Sequence, residues 1–368
     1  MTDSPLHRLA EQGQSVWIDY LSRDFLRPEG LERMVREDAL AGVTSNPTIF
    51  QKAIAGSDSY DEQLREVLDA GAGPKEAFYE LAMRDVADAC DVLRPVWERG
   101  SGRDGFVSLE VDPNLAYEAE GTVAEALDLH ERVERPNLLV KIPATRPGLA
   151  AIEDVIAQGR SVNVTLCFSL RRHREVAESY VRGLERLVAA GGDPASVASV
   201  ASFFVSRVDT ETDRRLDELG GPGELKGRLA VANAKLAYQG YREAFSGQRW
   251  ELLVARGATP QRCLWASTST KDPAYPDVMY VEQLIGPETV NTMPEETLRA
   301  FADHGTVAPT LERDLDRARA VFDEVAAAGV DYDDVTRVLE AEGVRKFADS
   351  FDQLLGDIRA KGARLSAA

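Results

Sequence analysis

The sequence predicts a (β/α)8 barrel, and three observations favour this fold class. Eight short apolar runs of strand length alternate with amphipathic segments of helical length along the 368 residues, which is typical of a parallel sheet with crossover helices. Eight such units close naturally into a barrel. An open, doubly wound sheet is the alternative, but a dinucleotide-binding one usually carries a GxGxxG turn after its first strand, and no such turn follows the first run here.

The predicted strands and helices follow one another in order. The strand runs are SVWIDYL from Ser15, AGVTSNP from Ala41, GFVSLEV from Gly105, NLLVKIP from Asn137, SVNVTLCF from Ser161, SVASFFV from Ser199, QRCLWAS from Gln261 and ETVNTM from Glu288. Helix candidates between them include GLERMVREDAL, KEAFYELAMRDVADACDVLRPVW and REVAESYVRGLERLVAA. We expect residues 1–368 to form a single barrel domain.

Two regions exceed a minimal barrel. Residues 222–258 are predicted to form one long helix followed by another before the seventh strand. Residues 311–360 are predicted to contain at least three helices, near 311–328, 334–342 and 346–360. We expect these C-terminal helices to pack outside the barrel, where they can reach its mouth.

The composition narrows the class of function. The formal net charge of −19 argues against nucleic acid and anionic membranes as main partners, although a local basic cluster can still bind an anionic substrate. The first residues lack the apolar run of a signal peptide, and no stretch approaches the length of a membrane span. Three Cys lie far apart and four His form no HxxxH pair, so we expect a cytoplasmic protein without disulfides, metal or organic cofactor.

Polar side chains interrupt six of the apolar runs near their carboxyl ends. They are Asp19, Asn46, Glu110, Lys141, Asn163 with Thr165, and Ser202. Each alone has a plainer explanation, since Asn46 precedes Pro47 and can cap a helix, and Ser202 can fill a narrowing barrel. Glu110 and Lys141 can form a structural ion pair. Catalytic groups of barrels lie at the carboxyl ends of strands, however, and the presence of polar residues in six strands together favours a functional cavity.

Lys141 is the most informative of these residues. It stands in NLLVKIPAT, between an apolar run and a proline, so its strand is expected to be buried. Burial disfavours the ammonium form of a lysine, and the neutral amine is the nucleophile that attacks a ketone to form a Schiff base. The protonated imine then accepts electrons when the adjacent carbon–carbon bond breaks, a chemistry that needs neither metal nor cofactor.

The other polar residues provide what this chemistry requires. Glu110 is a candidate acid and base acting through a water held by Thr165, and Asp19 can take the hydroxyl proton of the breaking bond. Asn46 and Asn163 can hydrogen-bond substrate hydroxyls.

A phosphate group would need a cation beyond these strands. In ASFFVSRVD, Ser202 lies on the predicted strand and Arg207 just beyond it. Arginine binds phosphate in a bidentate manner, although a single Arg after a strand is a weak signal.

Five segments resemble the signature segments of transaldolases: VTSNPTIF, SLEVDP, LLVKIPAT, NVTLCFS and ASFFVSRVD. Residues 265–293 resemble the longer bacterial subgroup. The resemblance implies reversible transfer of a dihydroxyacetone unit from sedoheptulose 7-phosphate to glyceraldehyde 3-phosphate, giving erythrose 4-phosphate and fructose 6-phosphate in the non-oxidative pentose phosphate pathway. It also implies that Lys141, on the fourth strand, is the Schiff-base lysine.

The resemblance assigns the remaining positions in the same way. It implies that Asp19 is the acid and base for bond cleavage, and that Glu110 and Thr165 handle the catalytic water. It implies further that Asn46 and Asn163 bind substrate hydroxyls. Ser202 and Arg207 correspond to phosphate ligands.

The sequence departs from the family pattern after the seventh strand. Better-known members carry a second phosphate-binding Arg there, whereas Ser269 occupies the aligned position and Lys271 follows two residues later. We expect Lys271 to supply the missing charge.

Three other functions remain to be distinguished. A fructose 6-phosphate aldolase, a lyase, would use the same lysine and barrel, but that relative tends to carry Tyr at the position of Phe204 and Gln at that of Glu110. A decayed, non-catalytic sugar-phosphate-binding barrel would be expected to have lost at least one of Lys141, Asp19 and Glu110, and none is lost. A metal-dependent aldolase would need clustered His ligands.

A monomer and a homodimer are both compatible with the sequence.

Overall fold

The eight predicted strands close into a parallel barrel. The computed structural model describes residues 4–367. Within this part of the chain the strands are β1 (Gln14–Asp19), β2 (Leu40–Thr44), β3 (Phe106–Glu110), β4 (Leu138–Pro143), β5 (Val162–Cys167), β6 (Ser199–Phe204), β7 (Arg262–Ala266) and β8 (Thr289–Met293). Consecutive strands pair in parallel, and β1 pairs with β8 to complete the circle. The predicted (β/α)8 fold class is therefore confirmed.

Helices surround the barrel and continue beyond its last strand. Over residues 4–367 they are α1 (Pro5–Glu11), α2 (Leu31–Glu37), α3 (Pro47–Gly56), α4 (Asp61–Asp69), α5 (Pro74–Arg99), α6 (Ala119–Val133), α7 (Arg146–Ala157), α8 (Leu170–Ala189), α9 (Ser206–Leu219), α10 (Leu229–Ala244), α11 (Gly247–Val254), α12 (Met279–Glu282), α13 (Glu295–His304), α14 (Leu315–Ala327) and α15 (Tyr332–Ala367). None of these helices combines the length and apolar character that crossing a bilayer requires.

The additional helices differ in detail from the prediction. Between the sixth and seventh strands, the helices are α9, α10 and α11, and α10 begins at Leu229 rather than near residue 222. The two helices predicted at 334–342 and 346–360 are one continuous helix, α15. Gly343 lies in the predicted gap, and glycine is a poor helix former. It is accommodated because a Cβ atom there would lie only 3.0 Å from Leu166 Cδ2, so the small residue permits close packing on the barrel.

One glycine motif has the spacing of a dinucleotide-binding turn without its context. Residues 100–105 read GSGRDG, which matches GxGxxG. The segment connects the end of α5 to the start of β3, so a helix precedes it and a strand follows. This order is the reverse of that in dinucleotide-binding folds.

The lower part of the barrel interior is filled by Trp17. Its indole Nε1 donates a hydrogen bond of 2.7 Å to Asp104 Oδ1, and its ring lies 6.4 Å from that of Phe106. Gly42 on β2 faces the indole, where a Cβ atom would lie 2.4 Å from the ring carbons. Arg262 lies 3.7 Å from Asp104, so the bottom of the barrel is closed and a site can open only at the other end.

Strand register brings the polar residues together at the upper end. Glu110 pairs with Lys141, and Lys141 pairs with Asn163 across β3, β4 and β5. Because side chains alternate along a strand, these three point to the same side, with Thr165 one layer higher. The register therefore directs the predicted functional residues into the barrel interior.

Helix α15 packs across this upper end. Thr48 on α3 donates a 2.9 Å hydrogen bond to Ser350, and Gln51 donates one of 2.6 Å to Asp357. Further along, the buried Lys361 amine donates to the carbonyl of Ile54 at 2.9 Å. These contacts fix α15 against α3 and place its middle turns over the mouth.

Candidate active site

A cavity of about 330 Å³ opens at the carboxyl ends of the strands, where α15 crosses them. Eight of the ten residues singled out from the sequence line it: Asp19, Asn46, Lys141, Thr165, Ser202, Phe204, Arg207 and Lys271. Glu110 and Asn163 lie one step deeper and contact residues of this lining. The structure thus gathers all ten predicted residues in one place.

Lys141 is held at the base of this cavity by one hydrogen bond and one ion pair. Only 5 % of the residue is exposed. Its Nζ donates a hydrogen bond of 2.8 Å to the carbonyl of Ser45 and lies 3.2 Å from Oε2 of Glu110. The Phe347 ring of α15 stands 5.9 Å from the same nitrogen. The amine is therefore shielded from bulk water, with one carboxylate close enough to exchange a proton with it.

Glu110 and Thr165 retain unused hydrogen-bonding capacity. Glu110 is buried beside Lys141, yet neither of its carboxylate oxygens makes an aligned hydrogen bond with any residue in the described range. The hydroxyl of Thr165, also buried, has no partner within residues 4–367. Burial raises the pKa of Glu110, and the Lys141 charge acts in the opposite direction. The net effect of this setting is to favour the protonated form of the carboxyl group more than in water.

Asp19 stands at the end of β1 on another side of the cavity. Its Oδ1 accepts a 2.7 Å hydrogen bond from Thr44, whose hydroxyl also meets that of Thr292 at 2.7 Å. Desolvation raises the pKa of Asp19, while Lys141, the Thr44 hydrogen bond and Arg207 lower it by smaller amounts. The carboxylate is thus positioned over the same cavity as the amine and is not paired with it directly.

The two predicted asparagines are partly occupied by protein contacts. Asn163 accepts a 2.7 Å hydrogen bond from Ser202 and donates one of 3.0 Å to Ser108. Asn46 caps α3, since its Oδ1 accepts from the Ile49 amide at 3.1 Å. An asparagine amide carries two N–H donors, so each residue keeps at least one for a ligand. The capping explanation of Asn46 and its place in the cavity are both correct.

Four basic side chains line the cavity besides Lys141. They are Lys52, Arg207, Lys271 and Lys346. Arg207 lies in the first turn of α9, which has no side-chain cap, and its guanidinium stands 5.1 Å from the centroid of the Phe204 ring. No carboxylate in residues 4–367 forms an ion pair with it, and burial lowers its pKa. A guanidinium beside an uncapped helix N-terminus is well suited to an anion.

Lys271 lies where the sequence departs from the family pattern. Its Nζ donates a 2.7 Å hydrogen bond to Ser269, and both residues line the cavity. Burial lowers the pKa of Lys271, with Arg207 and Lys346 adding to this effect and Glu296 opposing it. The predicted replacement cation therefore lines the same cavity as Arg207.

Sequence reasoning missed several cavity residues, among them Lys52, Lys346 and Phe347. Lys52 lies on α3 and the other two on α15. The periodicity of their segments predicts helices with one buried face. It does not predict which strand ends that face covers. Only the packing of α15 against α3 identifies them.

Two irregular backbone positions flank the cavity. Leu166 follows Thr165 with φ of 59°, and Ser267 follows β7 with φ of 57°. The pairing of β5 with β6 shifts register between Val164 and Cys167. Such strained conformations cluster at functional sites. Among residues 4–367, no group of three or more His, Cys, Asp or Glu side chains is arranged to hold a metal ion.

The fold and site define a (β/α)8-barrel enzyme centred on a buried lysine amine. Residues 16–358 match the sequence profile of the family described as Transaldolase/Fructose-6-phosphate aldolase, and the chain belongs to this family. It is 56 % identical over 358 residues to the transaldolase of Frankia alni, covering 96 % of each chain. It is 52 % identical over 359 residues to that of Saccharopolyspora erythraea, covering 97 % of this chain and 98 % of the other.

A third relative shows the same extent of similarity. The transaldolase of Mycobacterium bovis is 50 % identical over 359 residues, covering 96 % of each chain. The resemblance stated from the five sequence segments is therefore confirmed over nearly the whole chain.

Proposed function

We propose that this protein catalyses the transaldolase reaction on sugar phosphates through a Schiff base at Lys141. It would transfer a dihydroxyacetone unit from sedoheptulose 7-phosphate to glyceraldehyde 3-phosphate, reversibly giving erythrose 4-phosphate and fructose 6-phosphate. The observation that carries the proposal is the Lys141 amine, buried at the base of a cationic cavity and 3.2 Å from Glu110. The names of the relatives support the same activity.

The first step is formation of the imine. Glu110 accepts a proton from the Lys141 ammonium, which its raised pKa favours, and the neutral amine attacks the ketose carbonyl carbon. Glu110 then supplies the proton with which the carbinolamine loses water. The free hydroxyl of Thr165 holds the water molecule that carries protons between Glu110 and the oxygen of the carbinolamine.

The second step breaks the carbon–carbon bond. The Asp19 carboxylate removes the proton of the hydroxyl at C4, the bond between C3 and C4 breaks, and the electron pair moves into the protonated imine. An aldose phosphate leaves, and an enamine remains on Lys141. An acceptor aldehyde then reacts with the enamine while Asp19 returns the proton, and hydrolysis of the new imine frees the product.

The remaining predicted residues bind the substrate. Asn46 and Asn163 use their spare N–H donors for substrate hydroxyls. Arg207, with Ser202 below it and the α9 N-terminus beside it, binds the phosphate. Lys271 supplies the second cation, in place of the Arg that better-known members of the family carry after β7.

Phe204 supports transfer over simple release. Only 7 % of the residue is exposed, and its ring packs 5.1 Å from that of Phe168 while also lining the cavity. An apolar ring positions no water and donates no proton, so the enamine survives until an aldose phosphate arrives. The fructose 6-phosphate aldolase activity would instead be favoured by a phenol at this position.

The cellular setting belongs to the same proposal. We place the enzyme in the non-oxidative pentose phosphate pathway of the cytoplasm, as a monomer or homodimer. The three cysteines are unpaired and buried, which supports a reducing compartment.

Reductive trapping tests the central step. Borohydride added with fructose 6-phosphate should attach a reduced dihydroxyacetone unit to Lys141, because the imine is the species that borohydride reduces. Intact-mass analysis followed by peptide mapping would measure the adduct. Lys141→Met, which keeps an unbranched side chain, should show no adduct although Lys52, Lys271 and Lys346 remain in the cavity.

An adduct on one of those other lysines would disprove the assignment of the nucleophile. Absence of any adduct in the wild-type protein would disprove the covalent mechanism.

A further inference from the structure

A second cavity, of about 410 Å³, lies outside the barrel. It is enclosed by α10, α14 and the segment that follows β7, on the flank of the molecule. Its apolar walls are formed by Val231, Ala232, Tyr275, Met279, Ala318 and Val321. The volume falls in the range of small-molecule sites, roughly 300–1,000 Å³, and none of the residues assigned to the reaction contributes to it.

The charge of this flank cavity is unusual for a protein of net charge −19. Its charged lining residues are Lys226, Arg228, Lys235, Asp314 and Arg317. Two of the four cations are neutralised, because Lys226 pairs with Asp217 and Arg317 pairs with Glu324. Arg228 and Lys235 form no ion pair with any carboxylate in residues 4–367, and one acid, Asp314, faces them.

Lys235 is the decisive residue. Only 6 % of it is exposed, and its Nζ makes one hydrogen bond, of 3.0 Å, to the carbonyl of Arg313. An ammonium group so placed carries a desolvation cost that a single carbonyl offsets only in part. Burial accordingly lowers its pKa, although Asp314 raises it somewhat. An anion within the cavity would satisfy the two remaining N–H donors.

A helix N-terminus adds to the positive charge of the flank cavity. Helix α14 begins at Leu315, next to Asp314, and no side chain caps its first turn. Free backbone N–H groups at such a terminus favour a group with several negatively charged oxygens. Arg228, exposed at the rim, can bind two such oxygens at once.

We propose that the flank cavity binds a small organic phosphate monoester with a ring-shaped body. Its phosphate would lie between Lys235, Arg228 and the start of α14. Its ring would lie against Tyr275 and Met279, where the wall is apolar. This site is separate from the barrel cavity and does not depend on the transaldolase reaction.

Adenosine 5′-monophosphate is a suitable probe, since it combines a phosphate monoester with a flat ring. Titration calorimetry on the full chain should show one saturable binding event. Adenosine and inorganic phosphate, which each lack one half of the ligand, should bind at least tenfold more weakly. Lys235→Met should weaken binding of the monophosphate at least tenfold, and Arg207→Ala should leave it unchanged.

Arg228→Ala keeps the test independent of folding defects, because Arg228 is exposed. It should also weaken binding. The matched control is Arg256→Ala, another exposed arginine without an ion pair in the described residues, which should have no effect. Transaldolase activity of Lys235→Met should equal that of the wild type.

Absence of binding at millimolar concentrations would overturn the proposal. So would loss of binding in Arg207→Ala together with its retention in Lys235→Met, because the nucleotide would then occupy the barrel cavity.

Discussion

A single hydroxyl group at position 204 is expected to decide the fate of the enamine. In Phe204→Tyr, the phenol would reach the cavity that the ring already lines and could order a water molecule near the imine carbon. Release of free dihydroxyacetone from fructose 6-phosphate alone should rise, while transfer to erythrose 4-phosphate falls. Assays with and without the acceptor measure the two rates.

Phe204→Leu is the control for packing. It removes ring contacts with Phe168 and Arg207 without adding a hydroxyl. If position 204 is only core, both substitutions should depress release and transfer together, and that result would contradict the guarding role.

The acidity of Asp19 gives a second prediction at this scale. Its pKa is already raised by desolvation, and the Thr44 hydrogen bond is one of the contacts that hold it down. Because the base must be ionised, the rate falls as pH drops through this pKa. Thr44→Val removes the donor, so the acidic limb of kcat/KM should move to higher pH. The pH–rate profile measures the shift.

Thr292→Val provides the matched comparison. Thr292 contacts Thr44 and makes no hydrogen bond to Asp19, so this variant should keep the acidic limb of the wild type. An identical limb in Thr44→Val would show that a group other than Asp19 limits the rate.

At the scale of elements, α15 completes the cavity from outside the barrel. Its Lys346 adds a cation to the cavity that Arg207 and Lys271 also line. Lys346→Ala should raise KM for sugar phosphates about fivefold with little change in kcat, as expected for an exposed charge. Arg207→Ala should cost more, on the order of 2–3 kcal/mol in kcat/KM, because its charge is less exposed. Steady-state kinetics with each substrate measures both effects.

Arg345→Ala is the control for this prediction. Arg345 is adjacent on α15 but points to Glu342 at 3.8 Å and does not line the cavity. An unchanged KM in Lys346→Ala would show that this residue of α15 does not contribute to substrate binding and that the helix has a structural role.

The eight strands were predictable because buried parallel strands give continuous apolar runs. Lys141, Glu110 and Asn163 could be found because polar residues interrupt those runs. Helix α15 was divided in the prediction because Gly343 looks like a break. Lys52, Lys346 and Phe347 could not be found, since their role depends on packing between segments nearly 300 residues apart, and helical periodicity does not specify the partner.

At the scale of the molecule, closure of the barrel makes its interior sensitive to small changes. Gly42→Ala would place a methyl group 2.4 Å from the Trp17 ring, and such overpacking costs about 1–3 kcal/mol. The midpoint of thermal unfolding should therefore fall. The matched control is Gly56→Ala, where a Cβ atom meets nothing within 4 Å, so its midpoint should not fall in the same way.

That the chain is a single domain stays a prediction. Calorimetry tests it in the same experiment, since one domain should unfold in a single transition.

An unchanged midpoint in Gly42→Ala would show that the Trp17 ring can move. Two resolved transitions in the wild type would contradict the single domain.

The placement of Lys346 on α15 also determines the order in which parts of the site are made during translation. Synthesis runs from the amino terminus, so all eight strands, with Lys141 and Glu110 among them, are made before residue 346. A nascent chain can thus close its barrel around the reactive amine while Lys346, and Phe347 that covers the amine, are still untranslated. Chemical competence would precede full affinity for phosphorylated sugars, and a ribosome stalled between β8 and α15 would hold a folded barrel with an open, weakly binding site.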